Sequence, residues 1–422
     1  MTILTPARNS GDALWSPLAH MPSVLGNRTV VVSGSGSYVT TAEGQTLLDA
    51  TSGLWHANVG HGRTEIADAA RRQLATLETY QSFGSFTNDA ALRLSDRLAG
   101  LSPIADPKII LTSGGSDSVE AAVKLARRHW QLEGQAQKTF VLSRADSYHG
   151  LHAFGSSLSG PDFYRDGYGP TTLVPETARF SSTDIDDFRR LVEEIGAERI
   201  AAVITEPVIG SGGIIAPPEG YFEQLQTIAR ENDILLIVDE VITGFGRTGR
   251  LFASERFALQ PDLLVVAKGI TSGYAALGAV FVAPRIWQRF FTGDDAPVYR
   301  HGVTYSGHAT ACVIAEANLD IIEREDLVAE SARLEGVLDT ALDGLRGRDD
   351  VREIRSGAGF LAGVAPVDDV PAEAIARYAL AEGIILRVLR ENLIQISPPF
   401  ITSDADVARI VDVIAGGLDH VR

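Results

Sequence analysis

The chain has one cysteine in 422 residues, Cys312, and no uninterrupted apolar stretch long enough to span a bilayer. A lone cysteine excludes an internal disulfide, and its alanine and aliphatic neighbours predict a packing role in a reducing compartment. Basic residues are also in short supply: 37 Lys and Arg face 54 Asp and Glu, for a net charge of -17 and a pI near 5.0. Such a surface repels phosphate backbones and anionic lipid, so neither nucleic acid nor a membrane is an expected partner. Met1 to Ser10 carries no apolar core of the secretory kind, and a cytoplasmic location is the expectation. Neither a G-x-G-x-x-G turn nor a Walker lysine stands where a nucleotide fold would need it. No metal site is expected.

What is present is apolar material, 45% of the chain, enough for a sizeable interior in a sequence too long for one ordinary core. Short β-like pieces, Thr29 to Val32 and Ser37 to Thr40, open the chain as a small antiparallel unit. From Pro107 apolar strands at 108–112, 140–142, 200–204, 234–238 and 263–267 alternate with helical segments at 118–129, 183–195 and 219–231. That alternation predicts an α/β fold, a mostly parallel sheet covered on both faces. Long helices follow from His308 toward Arg324 and over 327–345. The end returns to strands at 384–387 and 393–397 and a helix at 404–418. Three regions result: a starting lobe, a large central α/β domain and a carboxyl lobe.

Two charged residues end apolar runs: Asp239 closes Ile234-Leu-Leu-Ile-Val-Asp239, and Lys268 closes Leu263-Leu-Val-Val-Ala-Lys268. Strands of this kind bring both groups to the carboxyl edge of the sheet, where open α/β folds bind ligands. A lysine amine there forms a Schiff base with an aldehyde cofactor, and an aspartate holds a heterocyclic nitrogen protonated, the pairing that pyridoxal phosphate needs. Two residues taken alone fit a strand-capping salt bridge equally well. Thr112-Ser-Gly-Gly-Ser-Asp-Ser118 adds a Gly-rich turn before a helix, suited to a phosphate or to a plain capped βα turn. Tyr148-His149-Gly150 follows the next strand and offers a ring for stacking or for filling a loop.

With these residues in view, the chain resembles the class III aminotransferases, fold-type I pyridoxal-phosphate enzymes of the ω-transaminase group. The likeness runs from Gly53-Leu-Trp-His-Ala-Asn-Val-Gly-His-Gly62 to Ser397-Pro-Pro-Phe400. It is densest in Thr205 to Gly213, Asp239-Glu-Val-Ile-Thr-Gly-Phe-Gly-Arg-Thr-Gly249 and Ala267-Lys-Gly269. The resemblance implies a seven-stranded, mostly parallel central sheet with helices on both faces and a smaller α+β domain from both chain ends. The divisions expected are 1–65, starting the small domain, 66–315, the large cofactor-binding domain, and 316–422, completing the small one. It implies a homodimer with shared active sites.

By the same resemblance Lys268 is the Schiff-base lysine and Asp239 the partner of the pyridine nitrogen. Val241 packs under the ring, Tyr148 stacks over it, and His149 and Glu206 lie near the cofactor. Gly115 and Ser116 form the phosphate turn, with Thr304 lent by the other subunit. Leu54, Trp55, Phe83 and Ser211 belong to the substrate pocket, and Arg387 matches the arginine for a substrate carboxylate. The structural alternative survives for His149 and Arg247.

Four departures from the family pattern stand out, one of them Ala309 where a proline is expected after Gly307-His308. Asp117 replaces the usual glutamate of the phosphate turn, Gly84 stands where some members carry a second aromatic, and Arg390-Glu391 replaces a glycine-aspartate pair. The implied reaction moves an amino group from an amine or amino-acid donor to a ketone or aldehyde by a ping-pong mechanism through pyridoxamine phosphate. A wider pocket predicts a large acceptor, such as a ketone on a natural product or peptide, with a carboxylate-bearing donor. A class III decarboxylase, aminomutase or phospho-lyase uses the same groups, and a non-catalytic binding protein is a third class.

Overall fold

The computed structural model describes residues 13–169 and 173–421, so the reading of Met1 to Ser10 lies outside the described residues. Its centre is a seven-stranded sheet: β1 (Lys108–Thr112), β2 (Phe140–Arg144), β3 (Thr177–Phe180), β4 (Ile200–Thr205), β5 (Leu235–Asp239), β6 (Leu263–Val266) and β7 (Gly278–Val282). The spatial order is β1-β7-β6-β5-β4-β2-β3. The run from β3 to β6 pairs in parallel, and β7 is antiparallel to both β6 and β1. Every residue of β4 to β7 is buried, which is why these strands read as unbroken apolar runs. The strand period of two divides them: Leu236 and Val238 join one core, Leu235 and Ile237 the other. The helix Gly115–Leu132 covers the second core with Val119, Val123 and Trp130.

Both chain ends build the smaller part. Strands Val31–Ser35, Tyr38–Thr41 and Thr46–Asp49 form an antiparallel unit, and the last pairs in parallel with Ile384–Ile385. A second sheet joins Val351–Arg355, Ala362–Pro366, Leu393–Ile396 and Arg387–Leu389. Arg247 ties these layers to the large sheet. Its Nη1 donates to the carbonyls of Phe360 and Pro398 at 3.0 and 2.8 Å, and its Nη2 to Ser52 Oγ and Asn58 Oδ1 at 3.2 and 3.1 Å. The guanidinium lies 4.5 Å from the Phe400 ring centroid, and burial pulls its pKa down to about 9. Arg247 is therefore a fastener, the structural reading of that residue.

Some boundaries differ from the sequence reading. The helix expected to start at Ser118 starts at Gly115, because Gly114 rather than a Ser or Asp side chain is its N-cap and Ser118 already bonds back to Gly114 O. The segments expected from Thr183 and Glu219 become helical at Ile185 and Tyr221; Asp184 caps the first, and Gly220 in the left-handed region precedes the second. Helices Thr64–Thr76 and Asp89–Leu101 and strands β3 and β7 were not foreseen. Among the described residues no helix is long and apolar enough to cross a membrane.

Candidate active site

The carboxyl ends of the strands converge on one cavity of about 150 Å³, lined by Gly115 and Ser116 after β1, Tyr148 and His149 after β2, Glu206 after β4, Asp239 and Val241 at β5, and Lys268 after β6. Parallel strands explain the convergence, since all their carboxyl ends share one edge. Asp239 is anchored on two sides: Oδ1 accepts from the Val241 amide at 3.0 Å, and Oδ2 lies 2.8 Å from His149 Nδ1. His149 is buried, and its Nε2 has no hydrogen-bond partner among the described residues. Glu206 is held by the Tyr148 amide at 2.8 Å and the Gly210 amide at 3.0 Å. Its burial, with Asp239 adding repulsion, raises its carboxyl above the usual range against an opposing pull from His149.

Lys268 sits in the left-handed region, at φ +47°, a conformation that costs a side-chain-bearing residue on the order of 1–3 kcal/mol and collects at functional sites. Burial pulls its ammonium down to about 8; Asp239 and Glu206 oppose that shift, and Arg387 adds to it. The neutral amine is thus accessible near physiological pH.

In the same cavity the helix Gly115–Leu132 presents its first amides and positive dipole end. A Cβ on Gly115 would stand 3.1 Å from both methyls of Val241, and one on Gly150, at φ +87°, would stand 2.4 Å from Ser116 Oγ. Ser116 Oγ also accepts from the Leu151 amide at 3.3 Å, fixing that loop over the turn. A flat ring with a phosphate arm fits such a place. It finds amides for the anion, Val241 and Tyr148 as walls, a carboxylate for a ring nitrogen and an amine for an aldehyde. The unsatisfied His149 Nε2 marks the Asp239 end as a place for a further polar group.

The remaining residues singled out in the sequence are spread more widely. Trp55 is buried, at φ +66°, in an apolar cluster shared with Val208, Ile214 and Ile242, the last of which lines the cavity. Leu54 beside it is exposed, and Ser211 is half-buried on the turn after Glu206. Phe83 lines a separate cavity with Gly84, His301 and Gly302, and Thr304 is exposed on that same loop. Arg387 is half-buried on its strand, burial lowers its pKa against an opposing pull from Tyr164 and Tyr148, and it has no ion-pair partner among the described residues. Tyr164 was missed: its ring centroid lies 5.2 Å from that of Tyr148, yet its segment shows only three residues of helical turn and no apolar periodicity. Ile242 and Val119 were missed too. Each continues a motif already read, one place past Val241 and one turn into the helix.

The model of the class III aminotransferase family matches residues 23–418. An omega-aminotransferase of Caulobacter vibrioides is 36% identical and covers 98% of each chain. A beta-alanine–pyruvate aminotransferase of Pseudomonas aeruginosa is 34% identical over 97% of this chain and 96% of its own. Among solved structures, an (S)-enantioselective omega-transaminase from Thermomicrobium roseum is 36% identical with a TM-score of 0.92 over 97% of each chain. A PMP-bound aminotransferase from Vibrio fluvialis gives 30% and 0.92 over 98% of this chain and 97% of that one. The chain belongs to the class III aminotransferase family and is a pyridoxal-phosphate-dependent aminotransferase that moves an amino group from a donor to a carbonyl acceptor.

Proposed function

We propose that Lys268 is both the anchor of the cofactor and the group that carries the proton, and that Asp239 keeps the cofactor's ring nitrogen protonated. The observation that carries this is the convergence of Lys268, Asp239, Glu206 and the Gly115 turn on one cavity. Pyridoxal phosphate, when bound, supplies an electron sink for the bond broken at the donor carbon. The protein's own part is to present and move a proton at Lys268 Nζ, whose pKa near 8 lets it give and take at neutral pH. His149 holds the Asp239 carboxylate in place, and Gly115 and Ser116 take the phosphate. Val241 and Tyr148 clasp the ring, and Glu206 fixes the Tyr148 backbone against it.

The site serves a homodimer in this reading. Phe83 and Thr304 lie away from the Lys268 cavity of their own chain, on a surface with exposed Tyr80, Phe86 and Tyr305, and reach a partner's site instead. Residues 1–65 and 316–422 act as one small domain, supported by the pairing of Thr46–Asp49 with Ile384–Ile385. Leu54, Trp55 and Ser211 bound the substrate pocket. A half-buried guanidinium without an ion-pair partner suits Arg387 to a donor carboxylate. The substrates are then small molecules: an amine or amino-acid donor and a ketone or aldehyde acceptor, with the Gly84 side open to a bulky one. A cytoplasmic location is supported by the single cysteine.

The test is stoichiometric. Holoenzyme mixed with donor alone yields one carbonyl product per site, and acceptor added afterwards yields one new amine, as two separable half-reactions demand. Carbon dioxide released in place of the carbonyl product would refute the reading.

A further inference from the structure

Tyr148 and His149 belong to no strand or helix, and buried side-chain oxygens hold their backbone amides in place of a sheet. Glu206 takes the Tyr148 amide at 2.8 Å, and Ser159 Oγ takes the next one, that of His149, at 3.0 Å. Ser159 is buried and follows the six-residue helix Ala153–Leu158 as its C-cap. Its hydroxyl proton goes to the Gly155 carbonyl at 2.8 Å, with the Gly150 carbonyl farther off at 3.4 Å, which leaves the oxygen lone pairs for His149. Gly155, one turn earlier, meets His149 from its other side: a Cβ there would stand 2.4 Å from the His149 carbonyl oxygen. Residues four apart share a helix face, and this face clasps the His149 backbone by both its amide and its carbonyl. The short helix is anchored in turn. Glu120 Oε2 accepts from the Phe154 amide at 3.1 Å, and Ser143 Oγ on β2 donates to the Leu158 carbonyl at 2.6 Å. The His149 ring has less support, because its only bond among the described residues runs from Nδ1 to Asp239 at 2.8 Å. One line of contacts therefore leads from Ser159 through His149 to the carboxylate in the Lys268 cavity.

We propose that Ser159 is a positioning residue for amino transfer: it fixes the His149 backbone so that the imidazole stays on Asp239 and keeps that carboxylate aimed at the cofactor's ring nitrogen. The inference rests on the reading of Asp239 as the partner of that nitrogen. With one ring nitrogen unpaired, the direction of the Nδ1–H bond is set by where the backbone places the ring. A backbone shift is carried outward to Nδ1, and misplacement of a supporting group by about an ångström costs a reaction on the order of 10²-fold.

The test uses the holoenzyme and reads two quantities: the limiting rate of the donor half-reaction in single turnovers, and the pH midpoint at which the bound cofactor's visible absorption changes. The midpoint reports the proton on the nitrogen that joins Lys268 to the cofactor, and a ring less firmly protonated draws less charge from that nitrogen. Ser159→Ala lowers the rate by about tenfold or more and moves the midpoint upward. Ser159→Cys, which fills the same place with a weaker acceptor, changes both in the same directions by less, and it is read instead if the alanine variant does not load. The deciding comparison is Ser159→Ala in an Asp239→Asn background, where a residue that acts through Asp239 has no further effect on either quantity. A merely structural Ser159 lowers the rate equally in both backgrounds. That outcome, or wild-type values in Ser159→Ala, would overturn the inference and leave the Asp239 reading standing. If Asp239→Asn itself moves neither quantity, that reading fails and the inference with it.

Discussion

Asp239 and Glu240 are neighbours at the end of one strand, both buried, and their surroundings differ in kind. Glu240 is saturated: its carboxylate accepts from the Ser254 amide and hydroxyl at 2.7 Å each, the Ala253 amide at 2.6 Å and the Thr243 hydroxyl at 3.0 Å. Among the described residues Asp239 has only the Val241 amide and a histidine whose far nitrogen is unpaired, and it lines a cavity. The buried cations divide in the same way. Arg247 donates to four oxygens and leaves only its Nε unpaired, whereas Lys268 sits in a strained backbone position and its amine makes no hydrogen bond among the described residues. Groups that hold the fold together are for the most part closed by their own protein, and the groups left more open in the cavity are those to which the proposed reaction is assigned.

The strongest way to break that comparison is Asp239→Asn. The amide oxygen still accepts from Val241, so shape is kept and charge is lost. Turnover falls by at least about 10²–10³-fold, the scale on which a positioned electrostatic group acts, while cofactor remains bound. A rate within a few-fold of wild type, measured on fully loaded enzyme, would remove Asp239 from the open class.

A middle-sized effect concerns Lys268. Burial lowers its pKa to about 8, so the ammonium form dominates below that pH and the neutral amine above it. Capture of pyridoxal phosphate by cofactor-free protein needs the neutral amine. Its rate rises about tenfold per pH unit up to roughly 8 and then levels. Stopped-flow absorbance across pH 6 to 10 reads this directly, and a flat profile would place the controlling group elsewhere.

The smallest effect on rate comes from Glu240→Gln. The variant turns an acceptor-only group into one that also presents donors to four donors, so folding loses about 1–3 kcal/mol while loaded enzyme turns over nearly as before. Thermal unfolding and steady-state rates on one preparation separate the two. A turnover loss as deep as that of Asp239→Asn would show that the two carboxylates are not different in kind.

Much of this arrangement was legible in the sequence because strand ends are easy to place. Apolar runs closed by Asp239 and Lys268 fix two groups on one edge, and the Gly-rich turn before Gly115 fixes a third. The edges of the sheet were harder. Thr177-Ala-Arg-Phe180 is an outer strand with only Phe180 buried, so it lacks the run that marks its neighbours. Two helix starts slipped where glycine rather than a Ser or Asp cap sets the boundary, at Gly114 and Gly220, and a third slipped past Thr183 to follow the Asp184 cap. Tyr164 could not be read locally, because its meeting with Tyr148 is made by the fold. The fates of Asp239 and Glu240 were likewise hidden, since Ser254 lies 14 residues beyond Glu240 and His149 90 residues before Asp239.

The central claim is that the open groups of the Lys268 cavity, and not the closed ones, carry the chemistry. Borohydride reduction of the holoenzyme followed by peptide mapping tests it most directly. The account predicts one phosphopyridoxyl label per chain, on Lys268. Label on any other lysine, or a Lys268→Ala variant that is still labelled and still turns over at the wild-type rate, would contradict it.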